Sequence, residues 1–123
     1  MDRLFNGASL SASEAMLLYA ASRQKVIAAN IANVDTVGYK TRDLSDADFR
    51  RQLDRLFSSK GEPVVIRSGP ALDAGIVKPN GNNVDLDREM AKMVRNTALH
   101  STAAALLAQQ FTLLREAIAG RVL

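Results

Sequence analysis

Apolar residues recur at alternating steps of four and three through the last third of the chain. The positions are Leu86, Met90, Met93, Thr97, His100, Ala104, Leu107, Phe111, Leu114 and Ile118, eight of the ten apolar. Such spacing keeps one helix face against a partner. It predicts one helix over 85–119, roughly 50 Å long at about 1.5 Å per residue. Asp85 is the expected N-cap, and Asp87 and Glu89 place negative charge in the first turn, where the helix dipole favours it. Arg115, Gly120 and Arg121 supply the stop signals.

A second stripe of the same period runs through Leu10, Ser13, Leu17, Ala20, Gln24, Ile27, Ile31 and Val34, six of the eight apolar. It predicts a helix from Leu10 to about Asn33, with Ser11 or Ser13 as N-cap and Glu14 in the first turn. Ahead of it, Leu4 and Phe5 form a brief apolar spot before Asn6 and Gly7, a turn-favouring pair. Two seams of equal period predict an antiparallel pair of unequal helices, about 24 and 35 residues long. Alanine on several faces of both leaves thin surfaces that further helices can approach closely, and Met90 and Met93 suit an uneven helix interface.

The middle is patterned differently. Residues 45–57 place Phe49, Leu53, Leu56 and Phe57 at helical spacing behind Ser45 or Asp46 as a cap, which predicts a short amphipathic helix. Residues 58–83 hold all three prolines and most of the glycines. Brief β-like runs at 64–66 and 76–77 and a turn at Pro79 to Asn82 predict a mobile loop or small hairpin. The expected class is therefore all-α, divided into 1–40, 41–83 and 84–123.

Charge adds little to this picture. The net charge is +3, and residues 1–40, 41–84 and 85–123 each net +1. An even spread argues against a nucleic-acid footprint. Residues 96–114 carry no charge, yet their amide and hydroxyl side chains are too many for a bilayer span. No cysteine and a single histidine, His100, leave no imidazole or thiolate cluster for a metal. His100 is read as a packing or register-setting residue. Asp85, Asp87 and Glu89 are read as helix-start charges in preference to a cation site. No phosphate loop or nucleophile motif occurs, so neither catalysis nor a cofactor is expected.

After the first helix, Gly38 suits the third position of a type II turn, which needs positive φ. The stretch around it carries two alanine–asparagine pairs, Ala29–Asn30 and Ala32–Asn33, followed by Thr36, Gly38 and Tyr39. This resembles the signature that closes the N-terminal helix in flagellar rod, hook and hook-associated proteins. With the run from Val84 to Arg95, it is most similar to the flagellar basal body rod protein family, its proximal-rod members above all. Val37 stands where that family usually has proline, and the turn is expected to form with valine.

On the residues alone, one of Asn30 and Asn33 caps the helix and the other is exposed; the resemblance favours bonds to another subunit's helix. Tyr39 is expected to anchor the helix exit by packing. The resemblance implies a structural subunit that polymerises through its terminal helices into a torque-transmitting shaft, with Leu17, Ile27, Ile31, Met90, Met93, Leu107, Phe111 and Leu114 on the packing seam. Implied partners are other rod proteins, the rod-base adaptor FliE, the MS ring and the flagellar type III export apparatus. Implied placement is the periplasmic rod, reached without signal cleavage. The competing reading is a small helical adaptor or chaperone, which leaves the 29–40 motif unexplained.

Overall fold

The computed structural model describes the backbone of residues 7–58 and 63–122 and the side chains of 11–58 and 63–120. Helix α1 spans Gly7–Ala32, strand β1 Arg42–Leu44, helix α2 Asp46–Phe57, strand β2 Ser68–Pro70 and helix α3 Leu86–Val122. The all-α architecture expected from the seams is present, with a two-stranded ribbon added. Leu4 and Phe5 lie outside the described residues. Helix α1 begins at Gly7, not Leu10, so Ser11 and Ser13 are interior positions and Glu14 is not in the first turn. The apolar stripe marked where packing starts, whereas backbone bonding extends a turn further.

Helices α1 and α3 pack antiparallel, with 26 and 37 residues. Asn30 meets Glu89 near one end of the pair and Asn96 meets Ala20 further along. That register carries Gly7 to the neighbourhood of Gln110, so roughly the last three turns of α3 run past the described start of α1. On α1 the seam lies as the pattern placed it: Ala20 and Ile27 are fully buried, Ser13 is buried, and Leu17, Gln24 and Ile31 are half-buried.

On α3 the seam is displaced. The residues turned to the rest of the chain are Glu89, Lys92, Asn96 and Ala103, all buried, with half-buried Leu99. Each stands one residue before Met90, Met93, Thr97, His100 and Ala104, which is about 100° around the helix. Met90 is 54% exposed and Phe111 47%. Thr97 and His100 are exposed too, while Met93, Leu107 and Leu114 are half-buried. The apolar face is thus not the intrachain face through the first half of α3. Polar groups on α1 and β1 draw Glu89, Lys92 and Asn96 inward instead.

Helix α2 forms as expected, capped by the Ser45 hydroxyl, which accepts from the Asp48 amide. Phe49 stacks on Tyr19 with ring centroids 4.3 Å apart, and Ala15, Leu44, Leu53, Leu56, Val64, Ile66 and Leu99 pack around them. Tyr19 OH donates to Asp46, tying α1 to the start of α2.

The ribbon is not the hairpin anticipated within 58–83. Strand β2 pairs antiparallel with β1 in the register Arg42↔Pro70, Asp43↔Gly69, Leu44↔Ser68. The run at 64–66 finds no strand because the Gln52 carboxamide takes both backbone groups of Val65, at 2.8 and 2.6 Å. Ile76 and Val77 are exposed and outside any strand. The turn at 79–82 does form: Gly81 N–H donates to Lys78 O, Lys78 N–H donates to Asn82 O, and Gly81 has φ 84°.

Ala20 and Ala103 occupy fully buried positions where there is no slack for extra methylenes. Ala103→Leu should destabilise the chain by about 1–3 kcal/mol, measured by urea unfolding. An unchanged midpoint would contradict close approach of α1 and α3 there.

Candidate assembly site

The end of α1 is built as the motif implied. Tyr39 N–H donates to Thr36 O at 3.2 Å and Gly38 has φ 73°, so the turn forms with Val37 at its second position. Asn33 closes the helix: its Nδ2 donates to Ala29 O at 2.8 Å and its Oδ1 accepts from the Thr36 hydroxyl at 3.0 Å. Ala29 and Ala32 are exposed.

Asn30 behaves differently from either expectation. It is fully buried. Its Nδ2 donates to Arg42 O at 2.8 Å and to Glu89 at 2.9 Å; its Oδ1 accepts from Tyr39 OH at 2.9 Å and from the Arg42 amide at 3.2 Å. All four bonding positions of the carboxamide are used within one chain, so nothing is left for a neighbouring subunit. Tyr39 ties the helix exit to Asn30 through its hydroxyl.

Residues that the sequence pattern did not single out complete the junction. Asn82, fully buried, donates to Asn33 O and Thr36 O at 2.8 and 2.9 Å, taking carbonyls at the end of α1. Its Oδ1 accepts from the Val84 amide at 2.8 Å. Asn83 holds Thr41 by two bonds, at 2.6 and 3.1 Å. Gly38 N–H donates to Asn80 O at 2.9 Å, and a Cβ on Gly81 would stand 3.2 Å from Gly38 Cα. The two positive-φ glycines therefore lie back to back. The one signal available was the asparagine-rich run at 80–83, legible as a turn but not as a cap for a distant helix.

Beside this junction lies a charged network. Arg23 bonds both oxygens of Asp43 at 3.1 and 3.0 Å. Lys92, buried, reaches Asp43 at 3.3 Å, Asp73 at 2.8 Å and Glu89 at 3.4 Å. Burial alone would raise the Asp43 pKa, but the Arg23 bond, the Leu44 amide and the positive charges of Arg23 and Lys92 outweigh it, and the carboxyl is held below its ordinary range. Burial alone would depress Lys92; the Asp73 bond and the charges of Asp43 and Glu89 reverse that and raise it. Tyr19 is pushed up by burial and by its bond to Asp46.

Asp85 is the N-cap of α3, accepting from the Arg88 amide at 3.1 Å. Glu89, by contrast, is a buried partner of Asn30 and Lys92 and not a solvated helix-start charge. Among the described residues, no group of three or more His, Cys, Asp or Glu is placed to hold a metal ion, and no helix is long and apolar enough to cross a membrane.

Large apolar side chains remain outward along α3. Leu86, Met90 and Val94 are 40, 54 and 71% exposed at steps of four along α3; Leu106, Phe111, Leu113 and Ile118 follow at 41–57%. Val37, Leu72 and Ile76 add exposed apolar side chains on the loops. Exposed apolar residues running along most of a helix mark an interaction surface.

Comparison with known proteins converges on one family. The profile of a family described as flagella basal body rod protein matches residues 12–40, which end on the turn just described. The chain is 33% identical to the flagellar basal body rod protein FlgB of Salmonella typhimurium (strain LT2) over 130 aligned positions, 89% of this chain and 91% of that protein. It is 32% identical to the FlgB of Bacillus subtilis (strain 168), over 95% of this chain and 97% of the relative. The FlgB of Borreliella burgdorferi is 32% identical over 63% of this chain and 71% of its own length.

Three outcomes follow from the junction. Lys92→Met leaves buried Glu89 without its cation and Asp43 with Arg23 alone, and should lower stability by about 3 kcal/mol. Since the folded pKa of Asp43 is depressed, its contribution is present above the unfolded carboxylate value and is lost as pH falls through the folded one. Raised Lys92 contributes below the unfolded lysine value, near 10.4, and loses that contribution as pH rises through its folded value. Stability of the unaltered chain should therefore fall below about pH 4, and Asp43→Asn should flatten that acid limb in denaturant titrations. Val37 is 77% exposed at a position where type II turns want the φ that proline holds. Val37→Pro should raise stability by about 0.4–1 kcal/mol, read as a melting temperature higher by about 2–4 °C.

Proposed function

The chain belongs to the flagellar basal body rod protein family, as a structural subunit of the rod, and we propose that its place is the proximal rod, within a torque-transmitting shaft. One observation carries the assembly reading: exposed apolar side chains run along α3 from Leu86 to Ile118, off the face that α1 covers through the first half of the helix, and α3 runs past the described start of α1. Surface of this kind is stabilised by burial at about 25 cal/mol per Å². Neighbouring subunits in a stack are what bury it.

In this reading residues 1–40 and 84–123 form the axial core, and 41–83 ride on its outer side. The motif residues Ala29, Asn30, Ala32, Asn33, Thr36, Gly38 and Tyr39 act by holding the end of α1 to β1 and the 78–84 turn, which presents a rigid helix pair for packing. Met90, Met93, Leu107, Phe111 and Leu114 supply the contact face, while Leu17, Ile27 and Ile31 hold the pair together. Rod and basal-body components are the partners. FliE and the MS ring lie at the rod base, and the flagellar type III apparatus exports the chain, without signal cleavage, to the periplasmic rod. The role is mechanical and uses no catalysis. An incompletely covered helix pair suits export, because a chain whose surface is completed only by neighbours unfolds at little cost for threading.

Heterologous contacts that do not close into a ring build such a shaft. Phe111→Asp places a charge on the outward face without touching the described core. It should abolish rod assembly and motility while secretion of the chain continues, measured by purifying basal bodies and assaying the exported fraction. Intact rods carrying this variant would exclude the α3 face as the contact.

A further inference from the structure

Asn80 and Gly81 stand at the tip of the turn that meets the end of α1, and as a dipeptide they are chemically reactive. In an unfolded chain the backbone nitrogen of a glycine can attack the side-chain carbonyl carbon of the asparagine before it. No Cβ crowds that nitrogen, and the permissive glycine backbone reaches the attack geometry readily. Any other residue after asparagine hinders the approach.

The junction nevertheless requires this pair. Gly81 has φ 84°, and a Cβ there would stand 3.2 Å from Gly38 Cα, so a side chain is disfavoured on both grounds. Asn80 supplies two acceptors. Its Oδ1 takes the Asn82 amide at 3.1 Å, and its backbone O takes Gly38 N–H at 2.9 Å.

The contacts that demand the pair also restrain it. Gly81 N–H donates to Lys78 O at 2.8 Å. The nitrogen attacks only after giving up that proton, and here the proton is held by an internal acceptor. The Asn80 carboxamide is meanwhile directed to the Asn82 amide. Lys78 N–H donates to Asn82 O at 2.8 Å, and the Asn82 side chain holds Asn33 O and Thr36 O, which keeps the turn closed. Asn80 itself is exposed, so burial is not what shields it.

We propose that Asn80 is a site of spontaneous deamidation in the unfolded chain, and that closing the 78–82 turn onto the end of α1 shuts the reaction off. Gly81 N forms a bond to Asn80 Cγ, the bond from Cγ to the side-chain nitrogen breaks, and ammonia leaves with the proton that Gly81 gives up. Water then opens the cyclic imide at either carbonyl, leaving an aspartyl or an isoaspartyl residue at position 80. In the isoaspartyl form the main chain runs through Cβ and Cγ and gains a carbon. The carbonyl that met Gly38 N–H becomes a free carboxylate, and Gly81 loses its place behind Gly38. The folded junction is thus protected, while a chain that waits unfolded loses the ability to close it.

The test keeps the full chain at one mildly alkaline pH, folded in buffer and unfolded in guanidinium chloride. Peptide mapping by mass spectrometry follows the amide-to-acid mass gain at Asn80 and separates it from Asn6, which also precedes a glycine. Conversion at Asn80 should be slower in the folded chain by about tenfold or more, because the turn must open first. Equal rates would overturn the protection, and no conversion in denaturant would overturn the site. Gly81→Ala, followed in denaturant where its folding is immaterial, should lose most of the conversion over the same period; an unchanged rate would overturn the role given to Gly81. Chain aged in denaturant and returned to buffer should melt at a lower temperature than fresh chain carried through the same steps. Equal melting would overturn the need for an intact Asn80 in the junction.

Discussion

The bond set around Asn30, Glu89 and Lys92 is the constraint on which the rest of the molecule depends. Buried polar groups are costly unless every one of them is paired, and a half-satisfied cluster is worse than an apolar one. Here α1 contributes Arg23 and Asn30, β1 contributes Asp43 and the Arg42 backbone, α3 contributes Glu89 and Lys92, and the loop contributes Asp73. A slide of α3 by one residue would rotate each of its partners about 100° away. The register of the two helices is therefore set by hydrogen-bond geometry, with the burial of Ala20 and Ala103 in the helix pair following from it.

That register has a consequence for the surface. Because α3 turns its polar residues inward, Met90, Val94 and Phe111 face out. In an isolated chain this is unfavourable, since apolar area stays in water. In a stack of copies the same arrangement is useful, as the intrachain joint is specified by directional bonds and the apolar face is free for association. The two kinds of interaction are thereby divided between two faces of one helix, and neither competes with the other.

The middle segment serves the joint more than it decorates it. Asn82 and Asn83 bring the 78–84 turn onto the end of α1, Gln52 clamps the 64–66 run to α2, and β2 finds its partner in β1. Each of these links joins residues at least 13 positions apart. They convert a stretch rich in proline and glycine into an ordered cover for the polar network, leaving Leu72 and Ile76 outward.

Helical period, capping and turn chemistry are local, so the residues themselves determined the two long helices, an α2 cap at Ser45 or Asp46, the N-cap at Asp85, the positive φ at Gly38 and the turn at 79–82. Family likeness at 29–40 and 84–95 was equally legible, because it resides in residue identity. Which face of α3 meets α1 was decided only in three dimensions. Hydrophobic periodicity ranks faces by their affinity for any apolar partner, and it carries no term for a distant aspartate or asparagine that can satisfy a buried lysine or glutamate. The pairing of β1 with β2 and the capping of α1 by Asn82 belong to the same class, since their donors and acceptors come together only when the chain has folded.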